Sequence, residues 1–263
     1  MSTLLRKRSF FSKLQNELTH GFPRVETRIA KRVIARHDAI GVSFPKSGRT
    51  WLRKMLADLN VYLHFSHAGS ELLEHGELPS DPNPEQMAGR KVLFVLRDPR
   101  DVLVSYHKDL TLRHKAFDGD LSELARMPGV GIDGIAQFNM SWINARCFQS
   151  LHVVHYEALH RDAAHELSEV CNFLGLHWVS KKRIAQIAGT SDFETMRKAE
   201  KSGKFARKYP AYWFEGARSD RHPKVRRGKV GGFADEMSPE LIDYCNSRLA
   251  ALNYPTEWLA SDG

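Results

Sequence analysis

Long apolar runs are missing from this sequence. The roughly 18 consecutive apolar residues that a membrane helix requires occur nowhere in it. Cysteine is scarce: Cys147, Cys171 and Cys245 are the three in the chain, far apart and without a CxxC pair. That excludes a disulfide framework and makes a reducing compartment, the cytoplasm, the expected location. Met1 to Leu14 is basic but lacks the apolar core of a secretory signal. There is no internal repeat and no low-complexity tract. No HExxH motif or closely spaced Cys/His cluster is present either, so no metal site is expected.

Hydrophobic residues make up 42% and charged residues 27% of 263 positions. This is the composition of one globular domain, with or without an appendage. The net charge of +8 is unevenly spread. Residues 1–36 hold nine lysines and arginines against two acids, and residues 197–229 hold twelve against three. The remainder is net acidic, so the sequence suggests anions met locally rather than a uniformly basic nucleic-acid coat. Residues 1–36 are read as a basic helical extension and 37–263 as the main domain.

Residues Ala39 to Phe44 read as a short buried strand stopped by Pro45. Trp51, Leu52, Met55, Leu56 and Leu59 then fall on one face of a helix. A second strand is expected over Val61–Phe65. Residues 76–90, with three prolines and two glycines, are expected to be loop. Lys91–Leu96 is the clearest strand, apolar on both faces like an interior parallel strand. A helix is expected from about Asp101. A further strand over Leu151–Tyr156 leads into one long helix through Leu174. Ser238 and Pro239 carry the N-cap and first-position signature of a last helix. Strands alternating with helices predict an α/β fold of three layers, a central parallel sheet flanked by helices.

Two segments carry chemistry. Between the first strand and its helix lies Pro45-Lys46-Ser47-Gly48-Arg49-Thr50-Trp51. A strand-to-helix turn aims unpaired N–H groups and the positive helix end at one point, a cradle for an oxyanion. Gly48 permits close backbone approach, Ser47 and Thr50 add hydroxyls, and Lys46 adds a mobile charge. Lys46 precedes the glycine, so this is not a Walker A loop, in which the lysine follows it. After the strong strand comes Arg97-Asp98-Pro99-Arg100-Asp101-Val102-Leu103-Val104-Ser105. Arg97 stands at the carboxyl end of a parallel strand, where open α/β sheets bind ligands. A guanidinium with the Ser105 hydroxyl nearby suits a terminal phosphate.

These segments together resemble the sulfotransferases that use 3′-phosphoadenylyl sulfate (PAPS), and the P-loop-like fold of that family is implied. Lys46 to Trp51 is similar to the family's 5′-phosphosulfate loop, and Arg97 with Ser105 has the spacing of its 3′-phosphate site. Tyr156-Glu157 resembles its Tyr-Glu step near adenine. Residues 190–196 resemble a further nucleotide segment, with Phe193 near the base and Ser191 or Thr190 as a polar contact. Arg226-Arg227-Gly228 resembles its late phosphate clamp. Arg49 stands where the animal cytosolic members usually have threonine.

The resemblance implies sulfuryl transfer from PAPS to a hydroxyl, or less often an amine, of an acceptor, without a metal. It also implies a histidine base in the loop after the second strand. His67 takes that place, with His64 expected to pack on the strand and His75 lying deeper in the loop. Lys46 would stabilise the leaving phosphate. Two other readings stay open: a nucleotide kinase-like phosphotransferase, and a non-catalytic binder of polyanions or RNA.

Overall fold

The computed structural model describes residues 34–67, 81–202 and 228–260. Nearly all of the basic extension and most of the basic stretch after Lys201 lie outside the described residues. Four strands form one parallel sheet: β1 (Ile34–Val42), β2 (Val61–Ser66), β3 (Lys91–Leu96) and β4 (Ser150–His155), in the order β2-β1-β3-β4. The register runs Ile40 against Val92 and Leu93 against His152.

Alternation along β3 sorts its side chains into two cores. Val92, Phe94 and Leu96 join Val42, Phe44 and Phe138 on one face. Leu93 and Val95 join Leu52, Leu56, Leu167 and Ile184 on the other. Helices α1 (Arg49–Asp58), α7 (Ala163–Phe173) and α8 (Lys181–Gly189) cover this second face. Helices α3 (Pro99–Lys108), α4 (Leu121–Arg126), α5 (Ile132–Asn144) and α10 (Pro239–Ala251) cover the first. The expected three-layer α/β fold is therefore present.

Local differences from the sequence reading have local causes. β1 starts at Ile34, five residues before the apolar run, and its register against β2 shifts between Arg36 and Ile40. The expected 76–90 loop contains one helical turn, α2 (Pro84–Met87). Asn83 accepts from Glu85 N at 3.0 Å, Pro84 suits the first helical position, and Met87 is buried. The long helix after β4 is two helices, α6 (Tyr156–Arg161) and α7. Asp162 separates them because its carboxylate caps Ala164 N and His165 N of the second. α3 opens at Pro99 rather than near Asp101, with Asp98 as its cap. Ser238 caps α10 through Leu241 N, with Pro239 first, as the sequence indicates.

β1 lies between β2 and β3, so the chain leaves β1 in one direction and returns on its other side. The loops that follow β1 and β3 part at this switch point, where open parallel sheets hold ligands. Asp98, with no exposed surface, anchors the second of these loops. Its carboxylate accepts from Arg100 N at 2.8 Å, Arg100 Nε at 3.1 Å, Arg100 Nη2 at 2.8 Å and Ala260 N at 2.9 Å. Its own N–H donates to Glu157 Oε1 at 3.0 Å. Asp98→Ala would leave the Arg100 guanidinium buried without its carboxylate. Denaturant unfolding should show a loss of about 3–5 kcal/mol, the range for breaking a buried ion pair. A loss below about 1 kcal/mol, the worth of a solvent-exposed pair, would remove Asp98 from this role.

Candidate active site

The loop after β1 turns on two left-handed residues, Lys46 at φ 70° and Gly48 at φ 94°. Gly48 is also needed for space, because a Cβ there would lie 2.4 Å from Cδ2 of Tyr156. Gly48 is the N-cap of α1, and neither a side-chain cap nor an acid stands in the first turn. The positive helix end thus carries no neutralising acid of its own. Ser47 is buried, while Arg49 and Thr50 are half-buried. Burial, and then the neighbouring Arg53 charge, push the Arg49 guanidinium down to about 9. It remains a cation at neutral pH.

Arg97 reaches this loop from β3. Its Nη1 donates to the Lys46 carbonyl at 3.3 Å. Its Nη2 donates to Asp101 Oδ2 at 3.3 Å and to the Lys229 carbonyl at 3.2 Å. The guanidinium also lies 4.3 Å from the centre of the Tyr156 ring. Its Nε is buried with no partner among the described residues. Asp101 in turn accepts from Gly231 N at 3.1 Å and Phe233 N at 2.9 Å, which fastens the chain after Gly228 to α3. Burial raises the Asp101 carboxyl above its usual range. Half-buried Ser105 follows Asp101 by four residues, and Asp109 follows Ser105 by four. The Asp109 Oδ1 holds Lys46 Nζ at 2.9 Å.

Aromatic rings floor the loop. Tyr156 meets Trp51 edge-on at 5.9 Å and His160 at 5.1 Å, and Trp51 meets His160 at 5.1 Å. Trp51 is half-buried, so its ring packs on Tyr156 and still keeps exposed surface. Phe193, at the start of α9 (Phe193–Lys201), lies under Gly228, where a Cβ would come within 2.2 Å of Phe193 Cδ2. Ser191 is different. It has no exposed surface, accepts from Lys54 Nζ at 2.8 Å and donates to the Ile187 carbonyl at 2.6 Å. Its hydroxyl serves the fold in this structure.

His67 Nδ1 lies 2.7 Å from the Ser43 carbonyl oxygen. A carbonyl only accepts, so Nδ1 carries the proton and Nε2 is the basic nitrogen of the neutral ring. This fixes the ring at the carboxyl end of β1, three residues before Lys46. His64, expected to be packed, is instead exposed on β2. His75, Arg226 and Arg227 lie outside the described residues. The structure therefore brings together Lys46, Gly48, Trp51, Arg97 and Tyr156, and links Arg97 to Phe193 and Gly228 through the adjoining Lys229. Sequence reasoning missed Asp101, Asp109, His160 and Lys54. Only Lys54 left a signal, as a lysine amid the apolar positions of α1 that is buried to 5% exposure.

No helix among the described residues is long and apolar enough to cross a membrane, and no group of them has the makeup of a metal site. A family model described as the sulfotransferase domain matches residues 77–252. The chain belongs to that family. It is 23% identical over 261 residues to sulfotransferase 2A2 of Rattus norvegicus, covering 82% of this chain and 92% of that protein. It is 23% identical to the 3-beta-hydroxysteroid sulfotransferase of Cavia porcellus, covering 80% and 89%. Among solved structures it is similar to mouse sulfotransferase SULT7A1 complexed with PAP. The TM-score is 0.61 at 17% identity, over 86% of this chain and 87% of that one.

The contact between Gly48 and Tyr156 can be tested without a ligand. Gly89, at φ 71° with nothing within 4 Å of where a Cβ would stand, isolates the left-handed backbone cost. Gly89→Ala should lose about 1–2 kcal/mol in urea unfolding. Gly48→Ala should lose clearly more, because the Tyr156 ring must also shift. Equal losses would show that the loop yields to the ring at no cost.

Proposed function

We propose that this chain transfers the sulfuryl group of PAPS to a hydroxyl-bearing acceptor in the cytoplasm, and that the crossing of the two switch-point loops is its nucleotide site. The carrying observation is the 3.3 Å contact from Arg97 Nη1 to the Lys46 carbonyl. It fixes a guanidinium against the loop that carries Lys46 and leads into an uncapped helix start, which suits a nucleotide with phosphates at both its 3′ and 5′ ends. Family membership supports the reaction class.

In this reading Arg97, Ser105 and Arg226-Arg227-Gly228 hold the 3′-phosphate. The loop Lys46-Ser47-Gly48-Arg49-Thr50 holds the phosphosulfate. Trp51, Tyr156 and Phe193 take the adenine, and Ser191 keeps the 190–193 turn in place through Lys54. The acceptor oxygen bonds to sulfur as the bond from sulfur to the 5′-phosphate oxygen breaks. His67 Nε2 takes the acceptor proton, and Lys46 balances the charge growing on the departing oxygen. The leaving product is adenosine 3′,5′-bisphosphate (PAP). A kinase-like reading has less support, because Lys46 precedes Gly48 and so departs from the Walker order.

Thermal shift with PAP against ADP, ATP and a polyanion tests the reading. PAP alone should give a large stabilisation; equal shifts with RNA would favour the polyanion binder. His67→Ala should abolish transfer, a loss of at least about 100-fold, and keep the PAP shift. Normal activity in that variant would move the base elsewhere. Lys46→Ala should lower kcat by more than it weakens PAP binding, since its main contact forms in the transition state. Equal losses would reduce it to a binding residue.

A further inference from the structure

Asp109 has no place in the reaction as described, yet it holds the one lysine the reaction uses. It opens a π-helical turn, Asp109–His114, that continues α3. Such turns are rare and concentrate at functional sites. Lys46 Nζ and Asp109 Oδ1 are 2.9 Å apart, with their side chains 13% and 12% exposed. The pair is therefore poorly screened by solvent. Beside it lies Tyr106, 2% exposed, whose hydroxyl is buried without a hydrogen-bond partner among the described residues. Asp109 is the charge that, after burial, pushes this phenol far above its usual range. The Asp109 carboxylate is thus close to both the lysine and a buried phenol.

Resting on the sulfotransferase reading above, we propose that Asp109 is a positioning residue that holds Lys46 in the ligand-free protein and competes with the 5′-phosphate end of the nucleotide for it. A carboxylate and a 5′-phosphate oxygen ask the same thing of an ammonium, a short charge-assisted hydrogen bond. Binding exchanges one for the other, so affinity at the 5′ end is the difference between two similar interactions. That difference lets the protein keep a lysine ordered at the loop without binding the spent nucleotide too tightly to release it. Neutralising Asp109 removes the competitor and tightens the product, a sign opposite to the loss expected from damaging a ligand contact.

The test compares PAP with adenosine 3′-monophosphate, which lacks the 5′-phosphate that Lys46 meets. Calorimetric titration of Asp109→Asn should show PAP bound about three- to tenfold more tightly, a modest change because one charge-assisted hydrogen bond is exchanged for a similar one. Adenosine 3′-monophosphate should change by less than about twofold, within ordinary scatter for a distant site. Asp109→Ser should tighten PAP in the same direction, and Asp109→Glu, which restores the carboxylate, should return PAP affinity toward wild type. Weaker or unchanged PAP binding in both neutral variants overturns the inference, as does an equal change for the two nucleotides, which marks a general structural effect. The proposed function fails separately, and takes the inference with it, if the wild-type protein does not prefer PAP to ADP.

Discussion

Lysines and arginines gathered at one place repel one another, and this constraint organises the switch point. At an effective dielectric constant of about 20, two unit charges 4 Å apart cost about 4 kcal/mol. The structure meets that cost with carboxylates drawn largely from α3 and its cap. Asp98 neutralises Arg100, Asp101 takes Arg97, and Asp109 takes Lys46. Lys229, whose carbonyl receives Arg97, pairs with Asp235. Arg49 shows the alternative: half-buried and near Arg53, its guanidinium is pushed down to about 9. These acids therefore balance the cations of the switch point within the protein itself.

The carboxylates also join chain segments that are distant in sequence. Asp101 binds Arg97 four residues before it and the backbone of Gly231 and Phe233 more than a hundred residues later. Asp98 joins the end of β3 to α6 through Glu157 and to the C-terminal segment through Ala260. The site consequently depends on the ends of β1, β3 and β4 being held in register by the sheet. Arg97 reports that register directly, since it touches the loop after β1 through Lys46 and the ring after β4 through Tyr156.

What could be read from the sequence follows the range of each interaction. Lys91–Leu96 was legible to the residue because a strand buried on both faces needs only its own composition to show it. Ser238 and Pro239 were legible because a cap acts within one turn. The start of β1 was hidden, since Arg36, His37 and Asp38 interrupt the apolar pattern that continues at Ala39. The roles of Asp101, Asp109 and Lys54 were hidden for a different reason. Lys46 and Asp109 are 63 positions apart, and Lys54 and Ser191 are 137 apart. No periodicity in the chain encodes such pairs; only the fold does.

The chain is only 23% identical to two of its relatives, and the proposed site draws little on side-chain identity. Much of the proposed anion site is backbone: the uncapped N–H groups of α1, a left-handed Lys46, and glycines at 48 and 228 against aromatic rings. Backbone geometry survives substitution wherever the sheet and its two cores survive. The side chains that complete the proposed site in this chain are chiefly Lys46, Arg97 and the rings of Tyr156 and Phe193 that exclude Cβ atoms. Asp109 adds its carboxylate beside Lys46 from a π-helical turn, a contact made across 63 positions of sequence.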